Sequence, residues 1–294
     1  MQHLRDRTAV ITGAASGIGR ALALHLAREG MRLALVDRDG EGLDETIRLV
    51  GDAVEGQQRP RVSRHVLDVS DKAAMLALPE AVVAEHGGVH LVVANAGVTA
   101  THGFHEHSLE DFEWVIGVNL WGVVYAAKAF LPHLLAADEA HLVTVSSIFG
   151  IVGIPSQTSY CASKFAVRGF SEALAEELAG THVGVTVVHP GGINTGIAAN
   201  SRASDEKARA NMVKFFARHT LPASEAASQI VEGVRRRRPR VLITREAVVG
   251  DLFKRLLPTW GNRRFVKTLM KVMRMDSALK QSQEQAISEA RSGR

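Results

Sequence analysis

The chain is poor in cysteine and in aromatic residues: its 294 residues include one Cys, two Tyr and three Trp. The single cysteine, Cys161, excludes an intramolecular disulfide bond and a metal site built from several cysteines, so a packing role is expected for it. No apolar run approaches the roughly 18 residues that a membrane-spanning helix needs. Residues 1–7 are polar and lead directly into an apolar segment without the form of a signal peptide. We therefore expect a cytoplasmic protein without a transmembrane helix.

What the chain does contain is a regular alternation of short β-branched runs and helical segments. Alternation at this spacing is typical of βαβ units, which build a parallel sheet. We predict an α/β fold with a doubly wound parallel sheet of the Rossmann type, with helices on both faces, over residues 1–245, and a helical extension over 246–294. The predicted strands are 8–12, 32–36, 61–67, 89–94, 141–145, 183–188 and 240–244.

A glycine-rich turn follows the first predicted strand. Gly13, Gly17 and Gly19 have the spacing G-x3-G-x-G, and a helix is predicted from Arg20 to Glu29. Glycines let the backbone approach a pyrophosphate, and a helix N-terminus offers N–H donors and a positive dipole end. Because the spacing departs from G-x-G-x-x-G, this motif alone leaves a nucleotide loop and a plain tight turn equally open.

Polar residues end the next predicted strands. Asp37 follows the second strand, 24 residues after Gly13. A carboxylate there can accept hydrogen bonds from adenosine ribose hydroxyls and repels a 2′-phosphate, whereas Arg38 could pair with such a phosphate. Asp68 and Asn95 follow the third and fourth strands. The carboxyl ends of parallel strands meet at one edge of the sheet, and ligands bind there.

Tyr160 and Lys164 are four residues apart in a predicted helix, which places them one turn apart on the same face. A nearby ammonium group favours the phenolate, so this pair suits acid–base chemistry at an alcohol or a carbonyl. The alternative is a surface helix with an incidental lysine. Two serines, Ser146 and Ser147, lie upstream at the end of a predicted strand.

Asn119 lies in the middle of another predicted helix. Ser108 begins this helix with the capping-box form S-x-x-D, and the helix continues to about Leu135. Asparagine forms helices poorly, so Asn119 is expected to be either solvent-facing or a buried hydrogen-bonding group.

In chain order, these residues together resemble one family, the short-chain dehydrogenases/reductases with a single Rossmann domain. The resemblance covers about residues 7–245, and Ser147 stands thirteen residues before Tyr160, which matches the family's usual spacing. Two positions depart from the pattern, Ala94 and His189. The motifs that carry the resemblance are TGAASGIG at 12–19, Asp68-Val69, Asn95-Ala96-Gly97, Asn119, Ser147, Tyr160-x3-Lys164 and PGGINT at 190–195.

The resemblance implies an oxidoreductase that moves a hydride between a nicotinamide and a substrate carbon. Tyr160 would be the acid–base group, and Lys164 would lower its pKa and bind the nicotinamide ribose. Ser147 would donate a hydrogen bond to the reacting oxygen, and Asn119 would hold a water that links Lys164 to solvent. The implied cofactor site consists of Gly13, Ser16, Gly17, Ile18, Gly19, Asp37, Arg38, Asp68, Val69, Asn95, Ala96, Gly97, Tyr160, Lys164, Pro190, Gly191, Ile193 and Thr195.

Asp37 favours NAD over NADP. Family members that prefer NADP often carry a basic residue where this chain has Ser16, so NADP is the alternative that only Arg38 supports. The expected substrate is a hydrophobic secondary alcohol, or the matching ketone or aldehyde. One alternative function is an NADPH-dependent, membrane-associated carbonyl reductase. The other is a non-catalytic dinucleotide-binding protein, which would have no need for all four catalytic candidates. The resemblance also implies a homodimer or homotetramer formed through the helices that bear Asn119 and Tyr160.

The C-terminal extension is basic. Thirteen Lys/Arg and two Asp/Glu lie within 235–274, although the whole chain has a net charge of +4. Apolar residues alternate with basic ones over 248–257 and 265–273, with Pro258 between, which predicts two amphipathic helices. Such helices either lie on an anionic bilayer or cover the substrate pocket or a subunit interface. Nucleic-acid binding is not expected, because no aromatic platform or known motif accompanies the charge. Residues 277–294 are expected to be frayed or disordered.

Two further segments carry weaker signals. Residues 101–107 hold three His and a Glu, but they offer no helix-spaced ligand pair, so we expect a solvated or substrate-facing loop and no metal site. Residues 196–219 are polar and Ala-rich with Phe215-Phe216 near their end, which suggests a substrate lid over about 190–220.

Overall fold

The computed structural model describes residues 1–56, 58–197, 201–203, 221–272 and the single residues 284, 287, 288 and 291. The strands are β1 Thr8–Thr12, β2 Arg32–Asp37, β3 Val62–Val66, β4 Leu91–Ala94, β5 Ala100–Thr101, β6 Ala140–Val145, β7 Val183–Pro190, β8 Ile193–Asn194, β9 Arg202–Ala203, β10 Leu221–Pro222 and β11 Arg240–Ile243. The α-helices are α1 Gly17–Arg28, α2 Gly40–Ala53, α3 Lys72–His86, α4 Leu109–Ile116, α5 Gly122–Ala136, α6 Thr158–Glu177, α7 Ala223–Arg235, α8 Arg245–Leu256 and α9 Trp260–Val272.

Within these residues, the main sheet has seven parallel strands in the order β11-β7-β6-β4-β1-β2-β3. The strand order reverses beside β1, which pairs with β2 on one side and with β4 on the other. Such a reversal opens a crevice beyond the carboxyl ends of the strands, where ligands bind in doubly wound sheets. The predicted Rossmann-type fold is confirmed.

Helices cover both faces of the sheet because each strand buries apolar side chains on both sides. On one face, Leu22 and Leu26 of α1 and Ile230 of α7 lie in a shared hydrophobic cluster. On the other face, Val82 of α3 and Phe130 of α5 lie in a second cluster. The site residues at the strand ends are therefore held between two packed cores.

The predicted helix from Ser108 to about Leu135 is present, but it is not regular. The hydroxyl of Ser108 accepts a hydrogen bond from the N–H of Asp111 at 3.1 Å and caps α4. A π-helical segment, Gly117–Trp121, then separates α4 from α5. Short π segments inside α-helices often accompany functional sites, and this one contains Asn119.

The same segment, Leu109–Ala136, is long and apolar enough to cross a membrane by length and composition alone. The expectation that no apolar stretch approaches that length was therefore wrong. Its most apolar window is 44% buried, and Val123, Phe130 and Leu134 lie in the core beneath the sheet. Core packing accounts for the apolar side chains of this segment that are buried.

The two helices predicted for the extension are present as α8 and α9, with Pro258 between them. The helix after the glycine-rich turn begins at Gly17, three residues before the predicted start, so two of the glycines belong to its first turn. The expected lid residues Phe215-Phe216 lie outside the described residues, as do most of those in 277–294.

Candidate functional site

A cleft of about 970 Å³ lies at the carboxyl edge of the sheet. Its walls come from the segments that follow β1, β2, β3, β4, β6 and β7. Gly19 and Asn119 are the two predicted site residues that are not part of the wall, and both are buried. The predicted residues that line the cleft are Gly13, Ser16, Gly17, Ile18, Asp37, Arg38, Asp68, Val69, Asn95, Ala96, Gly97, Ser147, Tyr160, Lys164, Pro190, Gly191, Ile193 and Thr195.

Hydrogen bonds and close backbone packing connect the glycine-rich turn to the end of β4. Gly13 has a φ of +68°, and an ideal Cβ there would lie 2.8 Å from the Cα of Ala96, so a side chain cannot be accommodated. The side-chain amide of Asn95 donates to the carbonyl of Thr12 at 2.9 Å. The hydroxyl of Thr12 in turn accepts the N–H of Asn95 at 3.0 Å. Asn95 therefore shapes the turn as well as lining the cleft.

The start of α1 has the features of an anion site. Ser16 is its N-cap in an extended conformation, with no capping bond from its side chain, and the first turn contains no acidic residue. The first N–H groups of a helix have no intrahelical acceptor. Because Ser16, Gly17 and Ile18 line the cleft, a pyrophosphate fits this end of it.

Asp37 is held in place by two backbone amides. Its carboxylate oxygens accept the N–H of Ala15 at 3.0 Å and the N–H of Asp39 at 3.1 Å. Arg38 and Asp39 line the cleft next to it. Two carboxylates therefore flank Arg38 where the adenosine end of a dinucleotide would lie.

Ser147 and Tyr160 form the polar centre of the cleft. Ser147 lies two residues after the end of β6 and caps a 3₁₀ turn, Ile148–Gly150, by accepting the N–H of Phe149 at 3.1 Å. Its hydroxyl also acts on the nearby phenol of Tyr160 in the direction that lowers the phenol pKa. The ring of Phe149 packs edge-on against Tyr160, with the centroids 6.2 Å apart. The choice of Ser147 over Ser146 agrees with this geometry, since the Ser146 hydroxyl donates to the backbone carbonyl of Lys164 at 2.8 Å.

Lys164 lies one turn after Tyr160 on α6. Its Nζ donates to the carbonyl of Val145 at 2.9 Å and lies 5.7 Å from the centroid of the Tyr160 ring. Burial lowers the pKa of Lys164 to about 8.

The expected lowering of the phenol pKa is not present in this geometry. Burial raises the pKa of Tyr160 to about 12, although the nearby Ser147 hydroxyl acts in the opposite direction. The ammonium group of Lys164 donates to the Val145 carbonyl and does not offset the effect of burial on the pKa of the phenol.

Asn119 is fully buried and forms hydrogen bonds with the backbone of a neighbouring loop. Its Oδ1 accepts the N–H of Val98 at 2.8 Å, and its Nδ2 donates to the carbonyl of Val98 at 2.9 Å and to the hydroxyl of Ser163 at 3.0 Å. An ideal Cβ on Gly97 would lie 3.3 Å from Asn119 Oδ1 and 3.4 Å from Lys164 Nζ. The missing side chain of Gly97 therefore leaves room between these two polar groups.

Sequence reasoning missed several residues of the site. His189 was noted only as a departure from the family pattern; it is buried, and its Nδ1 lies 3.0 Å from the carbonyl oxygen of Ser147. Burial lowers the pKa of His189 to about 4, so the ring is neutral and Nδ1–H is the donor. Glu246 of α8 and Thr268 and Leu269 of α9 also line the cleft. An amphipathic pattern shows that a helix packs, but it does not show against what.

Two smaller expectations concern histidines and the cysteine. The loop 101–107 is only partly solvated, because His102 and His107 are buried with their ring centroids 5.2 Å apart. His102 Nε2 lies 3.4 Å from a carboxylate oxygen of Asp111. Cys161 is buried, and burial raises the pKa of its thiol, which agrees with a packing role.

Comparison with known proteins identifies the family. The family model described as short chain dehydrogenase matches residues 7–206. SadH of Mycobacterium tuberculosis is 44% identical over 261 residues, which cover 87% of this chain and 93% of SadH. The chain belongs to the short-chain dehydrogenase/reductase family and is an oxidoreductase with a dinucleotide cofactor.

Two solved structures illustrate both cofactors. A short-chain dehydrogenase/reductase from Burkholderia phymatum in complex with NAD matches with a TM-score of 0.80 and 32% identity, over 87% of this chain and 95% of that chain. An alcohol dehydrogenase from Thermococcus sibiricus complexed with 5-hydroxy-NADP matches with a TM-score of 0.67 and 29% identity, over 81% of this chain and 94% of that chain.

Proposed function

We propose that the protein is an NAD(H)-dependent oxidoreductase that interconverts a hydrophobic secondary alcohol with its ketone. The observation that carries this proposal is the placement of Ser147 and Tyr160 in the wall of the same cleft that has a glycine-rich helix start at its other end. The bound nicotinamide would supply or accept the hydride. Residues 1–245 would form the oxidoreductase domain, with a substrate lid over about 190–220, and 246–294 the extension.

Ser147, Tyr160 and Lys164 have separate roles in the proposed reaction. Ser147 donates a hydrogen bond to the reacting oxygen and stabilises the charge that develops on it. Tyr160 gives a proton to that oxygen during reduction or removes one during oxidation. A phenol whose pKa is about 12 is well suited to hold the proton at neutral pH. Oxidation needs additional positive charge near the phenol, which Lys164 supplies when it turns away from Val145.

Asn119 and Lys164 suit a proton relay. Their polar atoms face the space that Gly97 leaves open, and a water there would have donors and acceptors on both sides. The bonds of Asn119 to Val98 fix its amide, so its orientation does not depend on the ligand.

The charges at the mouth of the cleft support NAD. Asp37 has its carboxylate fixed by the N–H groups of Ala15 and Asp39. A 2′-phosphate would meet this carboxylate and that of Asp39, and among the described residues that line the cleft Arg38 is the one arginine that could pair with it. NADP remains the alternative cofactor, favoured by Arg38 alone.

Apolar side chains support a hydrophobic substrate. Ile148, Phe149 and Ile154 come from the segment between Ser147 and Tyr160, and Ile197 and Leu269 line the same cleft. Such a wall excludes water from the reacting atoms and favours bulky apolar groups. We further propose a cytoplasmic homodimer or homotetramer that pairs through α4–α5 and α6, where large apolar side chains such as Trp121 and Phe165 are exposed.

The cofactor assignment is tested by titrating the purified protein with NADH and with NADPH while following nicotinamide fluorescence. We expect tighter binding of NADH, weakened at least tenfold by Asp37→Ala because both ribose hydroxyls lose their acceptor. Arg38→Ala is the matched control, and it should leave NADH binding unchanged. Tighter binding of NADPH, lost in Arg38→Ala, would contradict the NAD assignment.

Catalysis is tested separately from binding. Tyr160→Phe should retain NADH binding and lose nearly all turnover of hydrophobic secondary alcohols, because the ring stays but the proton donor is removed. If the wild-type protein binds the cofactor but turns over none of a broad panel of alcohols and ketones, the non-catalytic alternative would be favoured.

A further inference from the structure

Helix α8 carries an exposed apolar face. It consists of Val248, Val249, Leu252, Phe253, Leu256 and Leu257, whose side chains are between 39% and 69% exposed. We call these six residues the α8 apolar face.

The orientation of α8 is fixed by its opposite side. Ala247, Gly250 and Asp251 are the buried residues of the helix. Asp251 forms a two-pronged salt bridge with Arg240 of β11, with distances of 2.7 and 2.9 Å. This bond orients the helix so that its small residues face the sheet and its large apolar residues face outward. Exposure of the α8 apolar face is therefore built into the fold.

Basic residues accompany the α8 apolar face. Arg255 of the same helix is exposed and Lys254 is half-buried, and the packed neighbour α9 adds the exposed residues Arg263, Lys267 and Lys271. Glu246 and Asp251 are the acidic residues of the two helices, but Glu246 lines the cleft and Asp251 is paired with Arg240 and Arg255. The surface that α8 and α9 present is accordingly apolar and cationic.

Charge complementarity indicates which partner binds the surface formed by α8 and α9. An anionic lipid surface offers negative headgroups for the lysines and arginines and an acyl boundary for the leucines and Phe253. A second copy of this chain would bring the same basic side chains together in a two-fold contact. A polyanion such as RNA would neutralise the charge but leave the apolar residues in water.

The same two helices reach the cleft. Thr268 and Leu269 of α9 and Glu246 of α8 are part of its wall. The two helices that carry the apolar and cationic surface therefore also contribute to the wall of the cleft.

We propose that α8 and α9 dock on an anionic lipid surface, and that the alcohol or ketone enters the cleft from that surface. The docking itself does not depend on the proposed reaction, whereas the entry of substrate rests on it. The expected substrate class is then a membrane-partitioned, long-chain or polycyclic alcohol or ketone.

Docking is tested by flotation of the full chain with vesicles of phosphatidylcholine, with or without about 30% phosphatidylglycerol. We expect binding to the anionic vesicles, and loss of most of it at about 0.5 M salt, where the Debye length is only a few ångströms. Replacing Leu252 and Leu256 together by Ser should weaken binding at least tenfold, because both side chains insert into the acyl boundary.

The control variant replaces two apolar residues that are exposed elsewhere, Val66 and Leu76, by Ser. It should bind the vesicles as the wild type does, and NADH titration checks that both double variants are folded. Absence of binding to anionic vesicles at low salt would overturn the proposal. So would a fall in molar mass, measured by light scattering, in the Leu252→Ser/Leu256→Ser variant of a protein that does not float, because it would identify a second copy as the occupant.

Entry of substrate is tested by comparing two alcohols. The Leu252→Ser/Leu256→Ser variant should lose most of its rate with a vesicle-embedded secondary alcohol and keep its rate with a short, water-soluble one. Equal rates of variant and wild type with the embedded alcohol would refute entry from the lipid surface. If neither protein turns over either alcohol while both bind NADH, the proposed reaction fails, and flotation still decides the docking.

Discussion

Lys164 gives the sharpest prediction, because its ammonium group is buried in the cleft. Burial lowers its pKa from 10.5 to about 8. The unfolded chain therefore binds the proton more tightly than the folded protein does between these two pH values. Stability consequently rises as the pH increases through this window.

The size of the effect follows from the two pKa values. At pH 7 the shift costs the folded protein about 3 kcal/mol, because one pKa unit corresponds to about 1.4 kcal/mol. At about pH 9.5 the remaining cost is about 1 kcal/mol, since most of the folded protein already has a neutral Lys164. Between these conditions the cost falls by about 2 kcal/mol.

Lys164→Met removes this titration and keeps the volume of the side chain. The bond from Nζ to the Val145 carbonyl is also lost, but that loss is nearly independent of pH. We therefore expect the advantage of the variant over the wild type to shrink by about 2 kcal/mol between pH 7 and about pH 9.5. The stability measurements are kept below pH 10. Above that pH the unfolded chain loses the proton of Tyr160 while the folded protein keeps it, because the pKa of Tyr160 is raised to about 12, and stability falls for that separate reason.

The assay is urea denaturation of the cofactor-free protein at one fixed protein concentration, since oligomer formation also shifts apparent stability. Lys72→Met is the control, because Lys72 is exposed to solvent and its substitution should give the same difference at both pH values. A difference between Lys164→Met and wild type that stays constant to within about 0.5 kcal/mol would refute the argument that the ammonium group is desolvated.

Three further substitutions follow from the geometry of the site. Gly13→Ala should abolish NADH binding in the fluorescence titration, because the residue has a φ of +68° and its Cβ would clash with the adjacent backbone. Asn119→Leu should lower the free energy of unfolding in urea by roughly 2–6 kcal/mol, because the N–H and carbonyl of Val98 would stay buried without partners. His189→Leu should lower kcat roughly tenfold or more with little change in KM, because the Ser147 carbonyl loses its donor and the serine shifts.

Each of these three substitutions has a matched control substitution. Gly87 also has a positive φ, +81°, but no atom lies within 4 Å of an ideal Cβ at that position. Gly87→Ala should therefore retain NADH binding, and equal loss of binding in both variants would contradict the steric argument. Ser163→Ala removes one partner of Asn119 and should cost only about 1 kcal/mol; an equal cost for Asn119→Leu would be unexpected. His189→Asn keeps a donor near the Nδ1 position and should recover kcat, whereas failure to recover would favour a purely packing role for His189.

The fold and most of the cleft wall could be predicted because they depend on local pattern and chain order. Alternating β-branched runs and helical segments specify a parallel sheet, and a parallel sheet brings the residues after Thr12, Val36 and Ala94 to one edge. Glycine spacing and the pair Tyr160 and Lys164 were likewise visible without coordinates. These signals lie within one or two turns of backbone, where geometry is nearly independent of the rest of the protein.

Other features depend on which groups become neighbours in space. The direction of the Tyr160 pKa shift follows from burial, and the carbonyl that takes up the Lys164 ammonium lies nineteen positions away on β6. The π-helical position of Asn119, the contact of His189 with Ser147 and the orientation of α8 arise in the same way. An amphipathic period states that a helix has an apolar side, but the salt bridge between Asp251 and Arg240 decides that this side faces outward. Burial and charge pairing are properties of the assembled tertiary structure, so only that structure could decide them.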